Sequence, residues 1–305
     1  MGRLTMMRFV RRLPAQLLRL RRPSPRVGRL LSVVAAAVFA ATVVWGVTGY
    51  QSAGLEVNWP LLVAAVLLGT PLAVALNAAE LRAMARAVDA EIGRGAALRA
   101  SLMASAANAL PLPGSVLVRG WSLREAGVDL PRIVGVQALA GATFVAVAAA
   151  TTGPLIALAS PAPGLVVAGG GVVLLTVLAL RRRGAVARLA TVETAMVASE
   201  LARLSAVVAA LGLEVTPARS AGLVLAGVAA AAVGVFPAGL GLRELLAAAV
   251  GPAIALPSAL AVAVSVSDRI GTSTVLAVLV AGAVAFRGLP ARLPVDPQPP
   301  MRRTP

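Results

Sequence analysis

Two arginines, Arg119 and Arg243, each follow a place where proline and glycine interrupt an apolar segment. The first interruption is Leu-Pro-Leu-Pro-Gly at 110–114, and the second is Phe-Pro-Ala-Gly-Leu-Gly at 236–241. Proline removes a backbone donor and glycine lets the chain turn, so the unwound backbone leaves free N–H groups near the guanidinium. This combination suits a phosphate or another anion. The alternatives are a simple kink and arginines that only mark the cytoplasmic side of a membrane.

Acidic residues precede both interruptions in two short stretches that look like copies of each other. The letters Ala-Glu-Leu-Arg at 79–82 align with Ser-Glu-Leu-Ala-Arg at 199–203, which places Glu80 opposite Glu200. Broken apolar segments at matching places in two halves of a membrane protein point to a substrate site of a transporter. Glu80 and Glu200 would be proton carriers or counter-charges for the arginines. Alternatively, the two glutamates only lie at helix ends that face the membrane interface. The similarity of the two stretches could equally be a chance alignment of apolar sequence.

A third charged feature, Asp268-Arg269, lies between two apolar runs. An ion pair inside a membrane protein usually faces the bundle or water, although an exposed turn would simply be solvated. We therefore expect the substrate-binding residues to be the charged and loop-shaping positions of these segments, namely Arg119, Arg243, Glu244, Pro113, Gly114, Pro237, Gly239, Gly241, Asp268, Arg269, Glu80 and Glu200.

The composition requires lipid around most of the chain. Of 305 residues, 59% are hydrophobic and 13% are charged, and the mean hydropathy is +0.89. A soluble domain cannot hide that much apolar surface. The chain contains no cysteine and no histidine, which excludes disulfides, thiol or imidazole catalysis and His/Cys metal sites. We expect no cofactor and no enzymatic activity.

All 28 basic residues are arginine, and they cluster at the ends of apolar runs. This distribution follows the positive-inside rule, and the few aromatic residues leave no base-stacking surface, so a nucleic-acid partner is excluded. Residues 1–29 carry nine arginines and form a basic cytoplasmic arm, which either binds anionic headgroups or only sets topology. Residues 289–305 are Pro-rich and predict a disordered tail. Both termini are expected on the cytoplasmic side of the inner (cytoplasmic) membrane.

The apolar runs predict an all-α polytopic membrane domain over residues 30–288. About eight spans are expected, at 30–49, 60–79, 133–152, 164–180, 190–211, 220–236, 245–264 and 272–286. Residues 80–99 mix charged residues with alanine and predict an amphipathic helix at the cytoplasmic surface. Residues 100–118 predict a re-entrant hairpin, because basic residues flank this apolar segment on both sides. The span ending at Glu80 would run inward and the one carrying Glu200 outward, which predicts an inverted repeat.

Three segments together resemble the lysylphosphatidylglycerol synthetase transmembrane-region family of flippase-like integral membrane proteins. They are residues 108–119, residues 237–244 and the pair Asp268-Arg269. The family's second motif reads Pro-Gly-Gly-x-Gly-x-x-Glu, and Ala238 replaces its first glycine here. The late motif has a Tyr/Phe-Arg pair where this chain has Asp-Arg.

The resemblance implies a membrane bundle that handles an anionic phospholipid or a polyprenyl-phosphate-linked lipid. A soluble aminoacyl-transfer domain would need a few hundred further residues, so we expect no lipid aminoacylation by these residues. The predicted function is movement of such a lipid or headgroup across the membrane. The alternatives are a non-transporting subunit or regulator of a cell-envelope biosynthesis enzyme and a small-solute transporter. The sequence gives no oligomeric state.

Overall fold

The computed structural model describes residues 25–107, 114–233 and 241–287, and every regular element in these ranges is helical. The nine α-helices are α1 (Pro25–Ser52), α2 (Trp59–Ala87), α3 (Arg94–Ala107), α4 (Gly114–Glu125), α5 (Leu130–Ala157), α6 (Pro161–Ala210), α7 (Pro217–Val233), α8 (Leu242–Val250) and α9 (Ser258–Arg287). A 3₁₀ turn, Gly251–Ile254, follows α8.

Five helical segments are long and apolar enough to cross a membrane: Val33–Ser52, Trp59–Ala87, Leu130–Ala157, Pro161–Ala210 and Ser258–Ala285. A crossing needs about 20 apolar residues, because the hydrocarbon core is about 30 Å thick. Many large apolar side chains on these helices are exposed, among them Leu68, Val166 and Leu180. A membrane-embedded all-α protein, as predicted, accounts for both observations.

Helices α2 and α6 pack antiparallel along the middle of the bundle. The backbone N–H of Asn58 donates to the carbonyl of Ala210 at 2.7 Å, so α2 begins where α6 ends. Further along, Gly69 leaves room for the side chain of Arg203. We call the end of the bundle that contains residues 53–58 the Glu56 end, and the opposite end, which contains residues 88–93, the Glu91 end.

Helix α6 is broken at Arg182, whose φ of −146° and ψ of 50° are not helical. Before the break, Gly164 packs on Ala157 and Gly171 on Ala150, so the chain runs antiparallel to α5. After α6, Glu214 lines the same cavity as Leu158, which immediately precedes α6. Both ends of α6 therefore lie at the Glu56 end, and the chain reverses at Arg182. The interval between the predicted spans 164–180 and 190–211 is therefore helical except at Arg182.

Two helical hairpins start and finish at the same end of the bundle. In the α3–α4 hairpin, Gly114 packs on Ala107, and Arg132 after α4 donates to the carbonyl of Val88 before α3 at 2.8 Å. This hairpin opens at the Glu91 end.

The α7–α8 hairpin is built in the same way. Gly222 faces Ile254 and Gly227 faces Arg243, so the two helices are antiparallel. Arg219 at the start of α7 donates to the carbonyl of Ala255, beyond α8, at 2.8 Å. Since α7 follows the end of α6, this hairpin opens at the Glu56 end. The two hairpins thus enter the bundle from opposite ends.

Three predicted elements are corrected. The amphipathic helix over 80–99 is wrong, because α2 continues to Ala87 and a turn separates it from α3. The span 245–264 is wrong, because it divides into the end of α8, the 3₁₀ turn and the start of α9. Asp268 and Arg269 do not lie between two spans, since α9 is continuous through them.

Several predicted features lie outside the described residues. These are residues 1–24 of the basic arm, the tail 289–305, and the centres of both interruptions, with Asn108, Pro111, Pro113, Pro237 and Gly239.

Candidate functional site: two buried ion-pair clusters

The first cluster joins the α3–α4 hairpin to α2. The guanidinium of Arg119 on α4 contacts the Glu80 carboxylate at 2.9 Å and donates to Oδ1 of Asn77. The Asn77 amide nitrogen donates to the carbonyl of Ala73, which turns its oxygen towards the arginine. We call Asn77, Glu80 and Arg119 the Arg119 cluster. Glu80 is buried, while the Arg119 side chain keeps 19% of its surface exposed.

The second cluster centres on Asp268 of α9, which is fully buried. One carboxylate oxygen pairs with Arg203 of α6 and the other with Arg243 of α8 at 2.9 Å. Arg203 also contacts Glu200, one turn earlier on α6, at 3.0 Å. Three separate elements therefore meet at one carboxylate.

A further ion pair lies beside it. Buried Glu244 on α8 contacts the Arg269 guanidinium at 3.1 Å, and that guanidinium lies 5.9 Å from the centre of the Phe39 ring on α1. Because Glu244 adjoins Arg243 on α8 and Arg269 adjoins Asp268 on α9, the two sets of ion pairs lie side by side and form one network. We call Glu200, Arg203, Arg243, Glu244, Asp268 and Arg269 the Asp268 cluster. Its three arginines balance its three acids, which is the condition for burying charge at tolerable cost.

Glycine makes the approach of these elements feasible. Gly241 adopts φ 78°, where only glycine is unstrained, and it lies against Val38 and Ala35 of α1. Helix α8 starts immediately after it, so Arg243 and Glu244 fall in the first turn, where the helix dipole favours the acid. Gly227 on α7 leaves space beside the Arg243 side chain.

The structure brings together most of the predicted site residues but divides them between two places. Arg119 and Glu80 meet, and Glu200, Arg243, Glu244, Asp268 and Arg269 meet, whereas Arg119 and Arg243 belong to different clusters. Gly69, beside Arg203, precedes Glu80 by eleven residues on α2, so the clusters lie about 16 Å apart along the bundle. Gly114 supports the α3–α4 turn, and Gly241 starts α8.

Sequence reasoning missed three polar residues that the clusters depend on or adjoin: Asn77, Arg203 and Glu193. Arg203 and Glu193 are charged residues inside the apolar span 190–211, and such residues mark functional positions by default. That signal was sufficient to include Arg203 and Glu193 among the predicted site residues. Asn77 gives no comparable signal, because a single amide in a helix is common.

The clusters offer guanidinium groups to an anion. Arg119 and Arg243 keep 19% and 17% of their side-chain surface exposed, so a phosphate could reach them while competing with their carboxylate partners. Among the described residues, no group of three or more acidic side chains is arranged to hold a metal ion.

The chain matches no family model, no curated protein and no solved structure.

Proposed function

We propose that this protein moves an anionic lipid headgroup, of a phospholipid or of a polyprenyl-phosphate-linked lipid, between the two leaflets of the cytoplasmic membrane. The observation that carries the proposal is that two hairpins enter from opposite ends of the bundle and each brings a partly exposed arginine to a buried acid. A phosphate needs such guanidinium groups in order to leave water.

The proposed topology has six crossings and two re-entrant hairpins. The crossings are α1, α2, α5, the two parts of α6 on either side of Arg182, and α9. The arginines at 82, 86, 94, 99, 124, 132, 181–183 and 188 belong to the Glu91 end, whereas the Glu56 end carries Arg219 with Glu56 and Glu214. The positive-inside rule then makes the Glu91 end, and both termini, cytoplasmic.

This topology divides the chain into two inverted halves. Each half has two crossings, a hairpin and a third crossing, with α1–α5 as the first half and α6–α9 as the second. Each half crosses the membrane three times, so the second half starts on the opposite side of the membrane from the first. Inverted halves of this kind support alternating access to a site between them.

The two clusters would bind the headgroup one after the other. Their separation of about 16 Å spans roughly half of a hydrocarbon core. The acyl or prenyl tails would remain in lipid while the phosphate passes from one guanidinium to the other. The resemblance to the lysylphosphatidylglycerol synthetase transmembrane region favours the same class of substrate. No nucleotide-binding motif is recognisable in the sequence, so we propose that an ion gradient or the lipid gradient drives the movement.

The direct test is reconstitution into phosphatidylcholine liposomes that contain fluorescent phosphatidylglycerol, with a membrane-impermeant quencher to follow its appearance in the outer leaflet. We expect Arg119→Gln combined with Glu80→Gln to abolish translocation without leaving a buried charge unpaired. Arg124→Ala is the matched control, because Arg124 lies on the same helix but is exposed. Unchanged translocation by the double variant would refute the proposal.

The same assay separates the alternatives. A non-transporting subunit or regulator would leave the fluorescent lipid in its original leaflet under all conditions. A small-solute transporter would be inhibited by soluble anions and not by added lipid.

A further inference from the structure

Glu193 is a buried acid that neither cluster uses. It lies on α6 after the Arg182 break, its residue is 0% exposed, and it forms none of the ion pairs found among the described residues. Within the described part of the chain, both of its carboxylate oxygens lack a hydrogen-bond partner. An ionised carboxylate in this setting is costly, whereas the neutral acid carries no charge and is much less costly to bury.

The antiparallel register of α2 and α6, fixed where Asn58 meets Ala210 and Gly69 meets Arg203, places Glu193 level with the segment of α2 that carries Glu80. Helix α5 carries no ionisable residue after Arg132. On α9, Asp268 and Arg269 belong to the Asp268 cluster, and Arg287 is the last residue of the helix. On α6 itself, Arg188 is exposed and Glu200 pairs with Arg203.

Arg82 and Arg86 on α2 follow Glu80 towards the Glu91 end, as does Arg94, which begins α3. Arg119, on α4, is held by Glu80.

We propose that Glu193 is a protonation site that couples proton movement to headgroup movement, an inference that rests on the proposed function. A Glu193 carboxylate oxygen takes a proton from water at one side of the membrane, forming an O–H bond. It later returns that proton to water at the other side, so no oxidant, reductant or other reactant is consumed.

Charge counting explains why the proton matters. With Glu193 protonated, Arg119 and Glu80 balance, and the Arg119 cluster can admit an anionic headgroup without repulsion. With Glu193 ionised, the charges of Glu193, Glu80 and Arg119 sum to a net negative charge, so a phosphate is repelled. The headgroup and the proton are therefore expected to be bound together.

Two measurements test the inference, using the full-length protein and the variants Glu193→Gln and Glu214→Gln. The first is infrared difference spectroscopy of the reconstituted protein between two pH values, which detects the C=O stretch of a protonated carboxylic acid. Wild type and Glu214→Gln should show a titrating band that Glu193→Gln lacks. Glu214 is the control because it is an exposed acid at the Glu56 end.

The second measurement is the pH dependence of fluorescent phosphatidylglycerol translocation in the same liposomes. Above the titration midpoint of Glu193, wild-type translocation should fall by about tenfold per pH unit, whereas Glu193→Gln should stay active and lose this dependence. An infrared band retained in Glu193→Gln, an unchanged pH dependence in that variant, or dependence on sodium ions in place of protons would overturn the inference. Absence of translocation by wild type would refute the proposed function, while the infrared band would still report whether Glu193 binds a proton.

Discussion

Asp268 pairs one of its carboxylate oxygens with Arg203 and the other with Arg243. These arginines come from α6 and from the α7–α8 hairpin, and Asp268 itself comes from α9. A single fully buried carboxylate thus fixes three elements relative to one another, and its removal should affect all three.

We expect Asp268→Asn to destabilise the protein by about 3–5 kcal/mol, because the buried Arg203 and the partly exposed Arg243 lose their shared partner. Thermal unfolding in detergent, followed by circular dichroism, measures the effect. Asp89→Asn is the control, since Asp89 pairs with Arg132 at an exposed site and should change stability by at most about 1 kcal/mol. Equal effects of the two substitutions would contradict the central position of Asp268.

Gly69 provides the space in which the Arg203 side chain reaches Asp268. A methyl group at this position would overlap that side chain, so we expect Gly69→Ala to cost about 1–3 kcal/mol. Gly141→Ala on α5 is the matched control, because nothing lies within 4 Å of the added carbon. The comparison uses the same unfolding measurement. An unchanged stability of Gly69→Ala would show that the Arg203 side chain can reach Asp268 without the space beside Gly69.

Gly241 combines a positive φ with close contact to Val38. We expect Gly241→Ala to be destabilising by about 1 kcal/mol from the backbone alone, and by more because Cγ1 of Val38 lies 2.7 Å from the added carbon. Gly54→Ala separates the two contributions, since Gly54 has φ 65° and open space around it. If both variants lose equal stability, the close contact of Gly241 with Val38 does not contribute to the loss.

The opposite openings of the hairpins can be tested by labelling. The chain has no cysteine, so single cysteines at exposed positions give no background. We expect cysteines at Glu91 and Glu125 to react with an impermeant maleimide from one side of sealed vesicles. Cysteines at Glu56 and Glu214 should react from the other side. Labelling of all four positions from one side would contradict the arrangement.

The helical class and the membrane environment followed from composition, and the pairing of Glu80 with Arg119 agrees with the predicted role of counter-charge. The division of the charges into two clusters did not follow. Asp268 and Arg203 are 65 positions apart, and Ala/Leu/Val-rich helices show little periodicity that would reveal which faces meet. The predicted spans 164–180 and 190–211 left an interval of nine residues between them, whereas the helix breaks only at Arg182.

The Asp268 cluster carries equal numbers of positive and negative groups, and this balance has an electrical consequence. The transmembrane voltage does about 2.3 kcal/mol of work on each elementary charge that crosses 100 mV. A shift of the whole cluster along the membrane normal transfers no net charge, so resting polarisation neither assists nor opposes it. The Asp268 cluster therefore contributes no voltage dependence of its own to such a shift.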